Sequence, residues 1–101
     1  MANRLELHEL LCGILGSRNA YYQPPASVQM KYPAIKYSRK DIENSYADNS
    51  VYMQSLAYEV TVIDEDPDSE IVEKVSKLPA CSFERHYEAN NLNHDVFILY
   101  Y

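Results

Sequence analysis

Glycine is nearly missing from this chain: 101 residues hold only Gly13 and Gly16. A Walker loop, a dinucleotide fingerprint and a nucleophile elbow all need glycine where backbone nears a phosphate or turns sharply, so all three are excluded. Cys12 and Cys81 are the only cysteines, and His8, His86 and His94 the only histidines. None stands in metal-ligand spacing, and two isolated cysteines fit a reduced, intracellular setting. No stretch approaches the roughly 20 apolar residues of a membrane span. Glu6, His8 and Glu9 interrupt any signal-peptide pattern at the N-terminus. Basic residues are scarce too. Nine Lys and Arg face fifteen Asp and Glu, a formal charge of −6, which argues against a general nucleic-acid binder.

What is present organises itself around residues 56–79. Leu56, Tyr58, Val60 and Val62 alternate with Ala57, Glu59 and Thr61, the period-two pattern of a half-buried strand. The run ends at Asp64-Glu65-Asp66-Pro67. Asp66 is placed to cap a helix over 67–78, with Pro67 at its first position and Asp68 and Glu70 on the positive end of its dipole. Ile71, Val75 and Leu78, with Val72 beside them, form its apolar stripe. Asp64, Glu65, Asp66, Asp68, Glu70 and Glu73 crowd this one helix start, so the negative charge is local.

Asn3 caps an N-terminal helix with Glu6 at its third position. Leu5, Leu7, Leu10, Leu11, Ile14 and Leu15 fill its apolar face, and Gly16 ends it in a left-handed turn. Ala20 to Gln23 reads as a short strand, and Pro24-Pro25 as an extended segment. Met30 to Tyr37 reads as a strand, with Tyr32, Ala34 and Lys36 on one face and Ile35 and Tyr37 on the other; Pro33 places it at an edge or in the first residues. Residues 38–50 are polar and without a sustained period, which reads as a long loop, with a short helical turn near Asp41. So long a loop in a small domain points to contact with a partner. Arg39, Lys40, Asp41, Glu43, Asn44, Tyr46, Asp48, Asn49 and Tyr52 are its candidate interface residues.

After the central helix, Cys81, Phe83, Arg85 and Tyr87 alternate with Ser82, Glu84, His86 and Glu88, an apolar-leaning strand. Residues 88–93 form a turn with asparagines suited to left-handed backbone. A last strand over 94–101 pairs with 81–88 as an antiparallel hairpin. The expected fold is a single α+β domain over 1–101, a mostly antiparallel sheet covered by the N-terminal helix and a central crossover helix. Ten tyrosines suit half-buried strand positions and interfaces.

Candidate chemistry is thin. Asp64-x-Asp66-x-Asp68 opens like a calcium loop, but Ser69 stands where glycine is needed and Val75 where a bidentate glutamate is needed; helix capping explains the same aspartates. His86 and His94 lack further zinc ligands, and Cys81 with His86 carries no nucleophile signature. His8 and Cys12, four apart on one helix, are the best local pair and still only two ligands. No enzyme, cofactor or metal is expected.

The residues do carry a resemblance. Leu15-Gly16-Ser17, Tyr21 to Pro25, Met30 to Pro33 and the polar stretch to Tyr52 resemble small proteins of tailed-phage structural operons. So do Tyr58 to Ser69 and Arg85 to His94. Together they look like tail terminator proteins, the tail-completion and head–tail joining proteins of long-tailed phages, over nearly the whole chain. The resemblance implies a homo-oligomeric ring, usually hexameric, at the head-proximal end of the tail tube. Such a ring halts tube polymerisation, meets the head connector or stopper and lets DNA pass through its lumen. It implies a cofactor-free structural protein located in the virion at the head–tail junction and assembled in the host cytoplasm. An acidic lumen would repel phosphates and let them slide. The alternatives are a head-completion or stopper adaptor or a tail-tube subunit, then a small regulatory binding domain, with a small hydrolase third.

Overall fold

A computed structural model describes residues 4–25, 27–47 and 50–101, with backbone alone for 41–47 and 50–55. The elements are α1 (Arg4–Leu15), β1 (Ala20–Tyr22), β2 (Ala34–Ala47), β3 (Ser50–Asp64), α2 (Glu70–Ser76), β4 (Cys81–Ala89) and β5 (Leu92–Tyr100). They build an α+β domain on one mixed five-stranded sheet of order β1-β2-β3-β5-β4. β1 runs parallel to β2, and the β2–β3, β3–β5 and β4–β5 pairs are antiparallel. β5 therefore lies between β3 and β4, and α2 connects two strands that run the same way.

The core forms where the sequence alternates. Tyr58, Val60 and Val62 of β3 share one face with Ile35 and Tyr37 of β2 and Phe97 and Leu99 of β5. Leu7 and Leu11 of α1 and Ile71 and Val75 of α2 belong to the same buried cluster, with Leu56, Val72 and Leu78 packed at its margin. Gly16 takes φ 73° as expected, and its N–H donates to the Cys12 carbonyl (2.9 Å), closing α1. The opposite face carries Ala34, Lys36, Ser38, Ala57, Glu59, Thr61, Ile63 and Val96 in register. Tyr21 pairs with Lys36 and shares that face, and its hydroxyl accepts the Lys31 N–H (3.3 Å), so the β1–β2 connection runs there.

Five expectations are corrected. The loop expected over 38–50 is strand at 38–47 and at 50, with no helical turn at Asp41, since β2 continues to Ala47 and β3 begins at Ser50. Apolar alternation marks a strand with one face on a core. A pair of strands with no third strand beside it has no such requirement. The strand expected from Met30 starts at Ala34, after a cis Tyr32–Pro33 bond. The helix expected over 67–78 spans Glu70–Ser76 and is capped by Ser69, whose Oγ accepts the Ile71 N–H (3.2 Å). Asp66 does not cap it, because the aspartates bond locally. Asp64 Oδ1 accepts the Asp66 N–H (3.1 Å) and Asp66 Oδ1 the Asp68 N–H (2.9 Å), which holds the chain in turns instead.

The other two corrections concern the hairpin. β5 starts at Leu92, and the turn tightens to Asn90 and Asn91, both at positive φ (55° and 62°), which asparagine tolerates. On β4, Phe83 pairs with Phe97 but Arg85 pairs with Val96, so Glu84 is an extra residue. That bulge moves Arg85 and Tyr87 onto the face opposite Cys81 and Phe83, and breaks the single face expected from their alternation.

Candidate assembly surfaces

The feature that sets this molecule apart is the far end of β2 and β3. β1 pairs β2 only at residues 35–37, and β5 pairs β3 only from Ala57 onward. From Glu43 to Ala47 and from Ser50 to Ser55 the two strands pair with each other alone among the described residues; at Leu56 the carbonyl still accepts the Tyr101 N–H (3.0 Å), just past β5. At about 3.3 Å per residue, the six residues of β3 carry this ribbon roughly 20 Å past its neighbours. The molecule is correspondingly long, 51 Å against 24 and 23 Å across.

The candidate interface residues fall along this ribbon. Arg39 and Lys40 lie at its base and are exposed. Asp41, Glu43, Asn44 and Tyr46 follow on β2, and Tyr52 stands on β3 at a register shift, as Ser45 pairs with Met53 and Tyr46 with Val51. Asp48 and Asn49 lie outside the described residues. The ribbon thus strings these positions along two strands rather than gathering them in a loop.

The ribbon base is tied to the outer strand. Arg39 pairs with Tyr58 and Asp41 with Ala57, so Lys40 is an extra residue of β2 as Glu84 is of β4. The Lys40 ammonium meets Glu84 at 3.3 Å. Arg85 adds a second tie, with one nitrogen on Glu84 (3.0 Å) and the other on Glu59 (3.2 Å). In strand order β3 and β5 separate β2 from β4, a flat distance of roughly 14 Å. Two long side chains released from the ladder by bulges span it. All four groups are partly exposed, so each pair contributes about 0–1 kcal/mol and fixes orientation more than stability.

Beside this network the helix-free face holds a cleft of about 380 Å³. Lys36, Ser38, Glu59 and Thr61 form its floor, Gln23 and Pro24 one wall, and Arg85 and Tyr87 the other. Tyr87 stacks on His94, with ring centroids 4.6 Å apart. Sequence reasoning missed this group. The signal was available: Lys36 and Glu59 are charges in otherwise apolar strand stretches, on the parity opposite the core. The acidic turn lies on the other side, where Asp64, Asp66, Asp68 and Glu70 line a depression with Lys74 of α2 and with Ile14 and Leu15 of α1, four carboxylates against one ammonium.

The groups weighed for chemistry are dispersed. His8 Nδ1 lies 2.7 Å from the Tyr37 hydroxyl, His86 Nδ1 2.8 Å from Asp95, and His94 Nδ1 3.2 Å from the Leu92 carbonyl. Cys12 is buried in the core cluster. Burial pushes the Cys81 thiol up, which disfavours the reactive thiolate. Among the described residues no group of three His, Cys, Asp or Glu side chains could hold a metal ion, and no helix is long and apolar enough to cross a membrane. No protein-family model matches the chain, and a search of curated proteins finds no significant match.

Proposed function

We propose that this chain is a structural subunit of a phage tail terminator. Copies assemble into a ring, six in the simplest reading. The ring caps the head-proximal end of the tail tube, stops its polymerisation and joins it to the head connector, while DNA passes through without specific binding. It performs no catalytic step, and α1 and α2 serve as cover for one face of the sheet.

The observation that carries this reading is the ribbon. A two-stranded hairpin alone is marginal in water, so a protein that extends one past its sheet gains from it in contact with another chain. The resemblance along the chain supplies the partners, and the surplus of carboxylates suits a lumen that phosphates must traverse.

The test mixes purified protein with purified tail tubes and images the ends. The intact chain should sit at one end of each tube. A variant with residues 43–55 replaced by Asn-Gly, closing the hairpin after the Ile42–Leu56 pair, should fold and fail to cap. Undiminished capping by that variant overturns the ribbon's role. Binding along the whole tube points to a tube subunit, and binding to the connector alone points to an adaptor.

A further inference from the structure

The two sides of the sheet carry opposite unspent charge. In the cleft, Glu59 and Glu84 are already engaged by Arg85, and Lys40 is engaged by Glu84. Lys36 is half-buried on the cleft floor and has no carboxylate partner among the described residues. Ser38, Thr61 and Gln23 line the cleft with it, residues whose hydroxyl and amide groups can orient an oxyanion. Lys36 and Arg85 against Glu59 leave the cleft locally positive in a chain of net charge −6. On the helix side, Asp64 and Asp66 spend a carboxylate oxygen each on their own turn. Glu65, Asp68 and Glu70 are exposed, and none has a cationic partner among the described residues.

We infer that the cleft around Lys36 receives the acidic turn of a second copy of this chain, Glu65 and Asp68 foremost. This rests on the ring reading and names the joint. The donor and the acceptor lie on opposite sides of one sheet, so the contact is head-to-tail, the type that generates a closed ring when the rotation closes. Lys36 is half-buried on the cleft floor, so its ammonium is less screened than one standing free in water, which strengthens its attraction to an incoming carboxylate. The same arrangement disfavours a face-to-face dimer, which would set cleft against cleft, like charge against like.

The test is charge reversal with the full chain, read by sedimentation velocity over a range of concentrations. Lys36→Glu should raise the concentration needed for assembly by roughly tenfold or more, since it places like charges together. Glu65→Lys with Asp68→Lys should do the same, and combining all three changes should restore assembly. Lys36→Met, which keeps the length of the stem without the charge, should weaken assembly less than Lys36→Glu and leave the melting temperature unchanged. It guards against a fold defect, as do the two exposed-site changes. If Lys36→Glu and Lys36→Met both assemble like the intact chain, the joint is wrong and the ring stands. If the two single-side reversals block assembly but their combination does not rescue it, the pairing is wrong. If Lys36→Glu alters only the binding of inorganic phosphate, the cleft is an oxyanion site and not a joint. An intact chain that stays monomeric at every concentration and on tube ends overturns the joint and the ring together.

Discussion

β2 and β3 are each two different structures along their length. From Ala57 to Ile63, β3 has a strand on either side, and Ala57, Tyr58, Val60, Thr61, Val62 and Ile63 are all at most 5% exposed. From Ser50 to Ser55 the same strand has β2 alone beside it among the described residues. The first half is held by burial, at about 25 cal/mol per Å² of apolar surface removed from water, and the second by cross-strand pairing. The body should therefore be sensitive to side-chain chemistry and indifferent to the ribbon, while assembly should depend on the ribbon.

The largest expected effect lies in the body. Val75 is fully buried in the cluster between α2 and the sheet. Val75→Asp puts an unpaired carboxylate there, which should cost about 4 kcal/mol or more and leave the chain unfolded at 25 °C by circular dichroism. A cooperative melt close to that of the parent would show that α2 does not complete the core. The ribbon truncation should do the reverse. Replacing residues 43–55 by Asn-Gly should change the unfolding free energy by about 1 kcal/mol or less and abolish tube capping. A large loss of stability would erase the distinction between the two regions.

Alkaline pH sharpens the contrast from the body's side. Burial raises the phenol pKa of Tyr37 and Tyr58 above the ordinary 10.0. A group whose pKa is raised on folding contributes stability that is fully present below its unfolded value and is lost as pH rises through the folded value. Stability should hold to about pH 10 and fall above it. Tyr58→Phe should lessen that fall, and the ribbon truncation should leave it unchanged. Smaller again is the α2 cap. Ser69→Ala removes the acceptor of the Ile71 N–H and should cost about 1 kcal/mol in urea unfolding, without affecting assembly.

The same contrast accounts for what could be read from the sequence. The Leu56 to Val62 alternation and the Ile71 and Val75 stripe are local patterns that burial requires, and both stand where they are expected; the asparagine turn is there too, but tighter than residues 88–93, because β4 and β5 close on Asn90 and Asn91. The ribbon reads as a loop in the sequence because nothing in residues 38–50 alternates, and a pair of strands with no third strand beside it need not alternate. The cap moved from Asp66 to Ser69 because both residues are good caps, and local aspartate turns decided between them. The bulge at Glu84 had no local signal. It depends on how β4 meets β5, and with it went the placement of Arg85 and Tyr87. The cleft was legible only in part. Lys36 is odd among Ile35 and Tyr37, but its neighbours in space are on strands whose register the sequence does not state.

The smallest effect expected is at the body's surface, and it tests whether exposed charge matters to folding at all. Arg18, just past α1, meets Glu9 of that helix through two nitrogens, at 2.9 and 3.1 Å. The Arg18 hydrogen bond, and then its charge, holds the Glu9 carboxyl below the ordinary 4.5. A carboxyl lowered on folding contributes stability that is present above its unfolded pKa and is lost as pH falls through its folded one. The window for any contribution is thus acidic, below the ordinary glutamate value, and at neutral pH the pair is fully formed. Both side chains are about two-thirds exposed, 69% and 65%, so solvent and salt screen the attraction. Arg18→Ala should bring the Glu9 titration, followed by NMR of its side chain, back up toward the ordinary value. The melting temperature at pH 7 should stay where it was. A clear drop in melting temperature would mean that this pair anchors the end of α1 against the sheet, and that the body relies on more than its buried cluster.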